Sequence, residues 1–275
     1  MALMAALAAL AQMVTVKGPA EYFYGSFREG AALVCRRAGL MPGPEDSSDT
    51  LEILAPGTSV VVSGPPEGSL IRNGAGTAWY PVVTGRHRGW IAGTEMAMAY
   101  IALDDGTLIA CALTDRSGDP CAEFHGALLA LDGSGAVLDS LTMELPYLLH
   151  ETPTDGAYGY RVFFREACTD GLEGIPHGAF LCFEYGACGY ENRNQLVFWD
   201  GGRLITGPRA SIVSEAGVFH WSQTLVLPCE EGGRPGSILL VEVSEQFSDL
   251  EWAYYETSRD TTVIEWDGAG FRDLL

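Results

Sequence analysis

Lysine is nearly absent from this chain. Fifteen of its sixteen basic residues are arginine, and Lys17 is the one lysine. Positive charge is scarce altogether, since 36 acidic residues leave a net charge of −20 over 275 residues. A surface of that sign repels phosphate backbones, so nucleic acid and anionic membrane surfaces are poor partners. It suits cationic ligands, divalent ions or plain solubility. The arginine bias fits a GC-rich coding sequence or a need for bidentate carboxylate pairing. Nothing in the sequence requires the second.

Long apolar runs are also missing. The segment Met1 to Ala11 (MALMAALAALA) carries no charge but is too short to cross a bilayer, so no transmembrane segment is expected. Ala9-Leu10-Ala11 before Gln12 has the small-x-small form of a signal-peptidase site, without the positive n-region of a complete signal peptide. Two readings stand: the end of a signal peptide that starts upstream, or an Ala-rich helical terminus docked on the domain. The first places the protein outside the cytoplasm, secreted or periplasmic.

The usual signatures of catalysis are absent. No G-x-S-x-G, P-loop, G-x-G-x-x-G or H-E-x-x-H occurs, and His150-Glu151 lacks the second histidine of a zinc helix. The five histidines are scattered. No C-x-x-C is present, which removes zinc ribbons and thioredoxin-type redox chemistry. Asp132-Gly133-Ser134-Gly135-Ala136 begins like a calcium loop, but Ser134 and Ala136 break the acidic series, so a hairpin turn is the simpler reading. No catalytic residue, metal site or cofactor is assigned from sequence.

Seven cysteines are present. Cys111 and Cys121 bracket a turn-rich segment, as do Cys182 and Cys188, so each pair could close across a hairpin. Cys168 and Cys229 would then be the remaining pair and Cys35 the odd thiol. Such pairing fits an oxidising compartment, and seven reduced thiols in a cytosolic protein are the alternative.

Strand signals dominate what is there. Short apolar and β-branched runs, such as 59–62, 195–199, 224–227 and 237–243, alternate with clusters rich in Gly, Pro, Asp and Ser. Little helical periodicity follows the first residues, with short turns conceivable at 26–38 and 207–217. The fold class expected is all-β. Within 99–275 a unit recurs: strand, polar turn, strand, Asp-Gly, short strand. Its Asp-Gly pairs are Asp132-Gly133, Asp200-Gly201 and Asp267-Gly268, spaced about 67 residues apart. Each is read as a tight hairpin. This larger antiparallel domain is expected as a few-bladed propeller-like array, distantly similar to integrin-type propeller repeats, or as a sandwich.

The stretch from Glu29 to Met98 has its own order. A strand at 32–36 is followed by a long acidic loop, a strand at 59–63, Trp79-Tyr80-Pro81-Val82, a charged turn and Gly89-Trp90-Ile91. This order resembles the bacterial SH3 (SH3b) family. The family's Asn-Val-Arg opening is replaced here by Leu33-Val34-Cys35-Arg36, and Pro81 implies an edge or a bulge. The resemblance implies a small SH3-like barrel at 29–98, after a leader at 1–11 and a linker at 12–28. It further implies a groove for a peptide or cell-wall ligand. Trp79 and Tyr80 are the candidate ligand-binding residues, because alternation along a strand turns one of them outward. Trp90 is expected in the core.

The expected function is that of an exported bacterial non-enzymatic binding protein whose acidic β-domain contacts a partner. The alternatives are a cell-envelope hydrolase with residues drawn from distant loops, and a structural, calcium-responsive β protein. Charge is unevenly spread: residues 1–98 sum to −1 and 99–275 to −19. The acidity therefore argues against nucleic acid for the larger domain and says little about the smaller one.

Overall fold

A computed structural model describes residues 22–23, 26–46, 49–72, 75–116, 124–146 and 160–274. The described residues are antiparallel strands joined by turns, with one 3-10 turn at Gly93–Glu95 and no α-helix. The all-β class is therefore as expected. The chain divides into two compact units, 1–163 and 164–275, so the break falls later than residue 98. The expected leader lies outside the described residues. The expected linker holds two short strands, β1 (Tyr22–Phe23) and β2 (Ser26–Phe27).

In the first unit, β1 pairs with β2 and with Arg161 and Val162 at the start of β14 (Tyr160–Ala167). Next come β3 (Gly30–Leu33), β4 (Ala38–Leu40), β5 (Glu52–Leu54), β6 (Ser59–Val62), β7 (Glu67–Arg72), β8 (Ala75–Val83) and β9 (Arg88–Ala92). Five of these form a sheet in the order β3-β6-β8-β7, with β9 on the other edge of β8. Hairpin β4–β5 is a separate sheet, bridged to β9 where Met41 and Trp90 exchange two backbone hydrogen bonds of 2.8 Å. A single bridge cannot continue a ladder, so the sheet does not close into the expected barrel. Pro81 sits where β8 changes partner from β7 to β6. Its carbonyl accepts from Ser63 N, so its missing N–H faces that corner rather than a ladder partner.

Strands β10 (Ala99–Ala102), β11 (Leu108–Arg116), β12 (Phe124–Leu131) and β13 (Val137–Leu145) form a four-stranded meander in the same unit. Leu33, Cys35 and Ala97 share one apolar cluster with Leu108, Ala110 and Leu131, which explains why residue 98 separates no bodies. The two sheets also touch through glycines. A Cβ on Gly135 would lie 1.8 Å from the Pro56 carbonyl oxygen, and the residue has φ +85°, so only glycine fits.

The second unit is a meander of β15 (His177–Tyr185), β16 (Asn192–Trp199), β17 (Leu204–Glu215), β18 (Phe219–Val226), β19 (Ser237–Ser248), β20 (Ala253–Trp266) and β21 (Phe271–Leu274). These seven strands lie in sequence order in one continuous antiparallel sheet. Residues 207–215, read as a turn, extend β17. The sheet rolls strongly. Five strand spacings of about 4.8 Å would hold β16 and β21 some 24 Å apart if flat. Instead the rings of Phe198 and Phe271 stack at 5.2 Å, and the Trp266 indole N–H donates to Glu173 O at 2.8 Å. The roll buries Phe198, Leu196, Ile238 and Ile264 in the core.

The three Asp-Gly pairs stand between β12 and β13, β16 and β17, and β20 and β21. In each turn the aspartate carboxylate accepts backbone N–H groups two to four residues on, at 2.7–2.9 Å. The positive φ falls on Gly201 and Gly268 as expected, but on Gly135 rather than Gly133 in the first turn. One Asp132 oxygen takes Ser134 N, Ser134 Oγ and Ala136 N, and the Ser134 hydroxyl leads in holding its pKa down.

Cys168 and Cys229 form a disulfide, as the remaining pair was expected to. Cys182 is buried and Cys188 is an exposed free thiol, so that expected pair is not formed. Their strands put them apart, Cys182 inside β15 and Cys188 in the turn beyond it. Cys111 is a buried free thiol in β11, and its expected partner Cys121 lies outside the described residues. Cys35 is a free thiol donating to Glu95 O at 3.3 Å, and burial pushes its pKa up to about 12.

Candidate functional site

Trp79 and Tyr80 point to opposite faces of β8, yet each is 3% exposed, so neither faces outward as alternation alone suggested. The reason is that both faces of this sheet are covered. Trp79 packs on Met41 and Ala92, with the Arg72 guanidinium 5.2 Å from its ring. The Tyr80 ring meets Phe27 edge-on, and its hydroxyl accepts from Phe27 N at 3.2 Å. Trp90 is half-buried against the Trp79 cluster. Arg72 also pairs with Asp46 and, at 2.9 Å, with buried Glu95. Burial raises the Glu95 pKa against the pull of Arg72. These contacts fix a loop and a core. They present no aromatic face to a ligand.

Exposed apolar side chains gather instead in the second unit, at the β19–β20 ribbon. β18 accompanies β19 only as far as Gln246, and β21 accompanies β20 only over Val263–Trp266. Every residue from 251 to 262 is exposed, so neither face of this part of β20 is covered. Tyr, Thr and Ser still favour an extended chain there, and β19 supplies the ladder on one side. Among the described residues, no strand lies on the outer edge of β20 from Ala253 to Thr262.

The amide directions follow from one bond. Trp266 N donates to Gly236 O, toward the β19 side, so alternate residues counted back from it do the same. Thr261 and Arg259 therefore turn their backbone groups outward.

The turn of the ribbon displays Leu250 at 96% and Trp252 at 82% exposure, beside exposed Val218, Tyr254 and Tyr255. Trp252 holds φ at 51°, a left-handed conformation uncommon for a large side chain. Phe247 supports this tip edge-on, 6.0 Å from the Trp252 ring and 5.3 Å from that of Tyr254.

An open pocket of about 400 Å³ lies at the base of the ribbon, lined by Cys188, Ser214, Ala216, His220, Glu245 and Tyr254. Register explains the gathering. Ser214 opposes His220 and His220 opposes Glu245, so three strands place these side chains in one row on one face. Gly189 N donates to Ser214 O at 2.8 Å, which brings Cys188 alongside. Tyr254 is anchored at its hydroxyl, which accepts from Gly217 N at 2.9 Å.

A Cys/His hydrolase needs its thiol and imidazole within hydrogen-bond reach. Among the described residues no hydrogen bond joins Cys188 to His220 or His220 to Glu245. No group of three or more His, Cys, Asp and Glu residues among them is arranged to hold a metal. What the site offers is a walled carboxylate, an aromatic face and an open strand edge. The notable feature missed from sequence is 253–262. Its Thr, Tyr and Ser content without apolar alternation was the available signal for a strand with neither face buried. Compared with known proteins, the chain matches no family model, no curated protein and no solved structure.

Proposed function

We propose that this is a non-catalytic binding protein that takes up an extended polypeptide segment along β20. The observation that carries this reading is the open edge from Ala253 to Thr262, ten exposed residues whose outward N–H and C=O groups meet no neighbouring strand among the described residues. Such an edge is a template for strand addition, with main-chain hydrogen bonds giving affinity and alternate side chains giving choice. The aromatic tip supports the same reading. An exposed cluster that includes Leu250 and Trp252 is costly unless something covers it, and the left-handed Trp252 adds strain to the turn that presents it. The resemblance of 29–98 to the bacterial SH3 family remains part of the proposal, as a module that shares its core with the β10–β13 meander and uses Trp79 and Tyr80 as framework. An exported location is likewise proposed; the Cys168–Cys229 disulfide is consistent with it.

The test uses the full chain and a soluble decapeptide of alternating Thr and Val. Binding should slow amide hydrogen exchange at Arg259 and Thr261. Thr261→Pro removes one outward donor and leaves the β19 ladder intact. It should abolish that protection without changing the circular dichroism spectrum. Absence of protection in the parent, or equal protection in the variant, would overturn the proposal.

A further inference from the structure

Resting on that reading, we infer that the segment taken up by β20 is cationic, and that one arginine or lysine side chain of it enters the pocket between Glu245 and Tyr254. Charge complementarity selects this occupant. Between Glu242 and Asp260 the ribbon carries Glu242, Glu245, Asp249, Glu251, Glu256 and Asp260 against the single cation Arg259.

That cation is engaged. Its Nη2 donates to Glu256 at 2.8 Å and its Nε at 3.1 Å, and the bond to Glu256 leads in raising its pKa. Glu242 accepts from Gln223 Nε2 at 3.0 Å. Glu245 differs from both. It faces the 400 Å³ pocket, and Arg259, which lies within its electrostatic reach, gives its hydrogen bonds to Glu256 instead.

Tyr254 lines the same pocket beside Glu245, and its ring is fixed by Phe247 on one side and by its hydroxyl anchor at Gly217. A carboxylate and an immobilised aromatic ring lining one pocket can together hold a guanidinium or ammonium, by charge-assisted hydrogen bonds to one and a cation–π contact with the other. Tyr254 also belongs to the exposed edge, being the second residue of β20. The pocket and the strand-addition edge are therefore continuous, and a partner residue paired near Tyr254 has the pocket within reach of its side chain. A second copy of this chain fits poorly, because pairing two such ribbons would oppose like charges.

The experiment titrates the full chain with the Thr/Val decapeptide carrying one central arginine, and with the same peptide carrying citrulline, its neutral isostere. The arginine peptide should bind about tenfold more tightly, the worth of a hydrogen bond to a charged group. Glu245→Gln should erase that difference while leaving citrulline binding unchanged. Equal affinities in the parent, or an undiminished preference in Glu245→Gln, would overturn the cationic inference and leave strand addition standing. Failure of both peptides to bind would overturn the two together. Sedimentation of the protein alone as a ribbon-paired dimer, or cosedimentation with phosphatidylcholine vesicles that is lost in Trp252→Ala, would assign the surface to another occupant and overturn the inference.

Discussion

Removing the Cys168–Cys229 bond should weaken the second unit by an amount the topology fixes. The two cysteines are 61 residues apart in sequence, on the loop before β15 and the loop after β18. Opening a loop of that length returns to the unfolded chain an entropy worth about 4 kcal/mol at 25 °C. For a unit of this size each kcal/mol moves the melting temperature by about 4 °C, so the expected loss is roughly 15 °C. The perturbation is Cys168→Ala with Cys229→Ala, read by scanning calorimetry beside the parent, with Cys188→Ala as a thiol control that leaves the temperature unchanged. The bond also has a local signature. Gly236 N donates to Gly171 O, joining the same two loops, and the Trp266 indole donates to Glu173 O on the first of them. Hydrogen exchange at Gly236 should therefore rise before the sheet melts. A double variant that melts within about 2 °C of the parent would show that the unfolded chain gains little, and would refute the loop-entropy reasoning.

Three further outcomes are expected. Gly135→Ala forces a Cβ into the Pro56 carbonyl at a left-handed φ, and should cost the first unit about 3 to 5 kcal/mol in urea denaturation. Phe198→Ala should cost about 3 to 5 kcal/mol in the second unit, whereas Trp252→Gly should stay within about 1 kcal/mol of the parent, because one ring is core and the other is displayed. Glu95 has its folded-state pKa raised above its ordinary 4.5 by burial, so its contribution to stability is complete below that value and is lost as pH rises through the raised one. Glu95→Gln should flatten the stability–pH curve just above pH 4.5, and Arg72→Met, which strands the buried carboxylate, should cost about 3 kcal/mol at neutral pH.

Local chemistry was the legible part of this chain. Asp200-Gly201 and Asp267-Gly268 announce hairpins because the carboxylate and the glycine act within four residues, and the structure has those turns. The all-β class follows from the same short-range signals. What depended on distant neighbours was hidden. Alternation assigns Trp79 and Tyr80 to opposite faces, but it cannot show that Met41 closes one face and Phe27 the other. Spacing suggested Cys182 with Cys188, a pair that is not formed, and reached Cys168 with Cys229 only as the remainder, because the sheet that brings those two together has no local signature. The pocket was invisible for the same reason. Cys188, His220 and Glu245 meet through the register of β17, β18 and β19, and no local pattern encodes that register.

The order of strands β15 to β21 has a consequence for how the unit is assembled. Every pairing in the run joins neighbours in the chain, so each hairpin can form as soon as its second strand is available, without a long search. The disulfide is the exception, since it joins loops separated by the strands β15 to β18. Before that sheet exists, Cys168 is nearer along the chain to Cys182 and Cys188 than to Cys229. Oxidation ahead of strand pairing would favour those shorter loops, while oxidation after it locks the correct one. The meander thus acts as its own proofreader, bringing the right two sulfurs together only once its strands are in place.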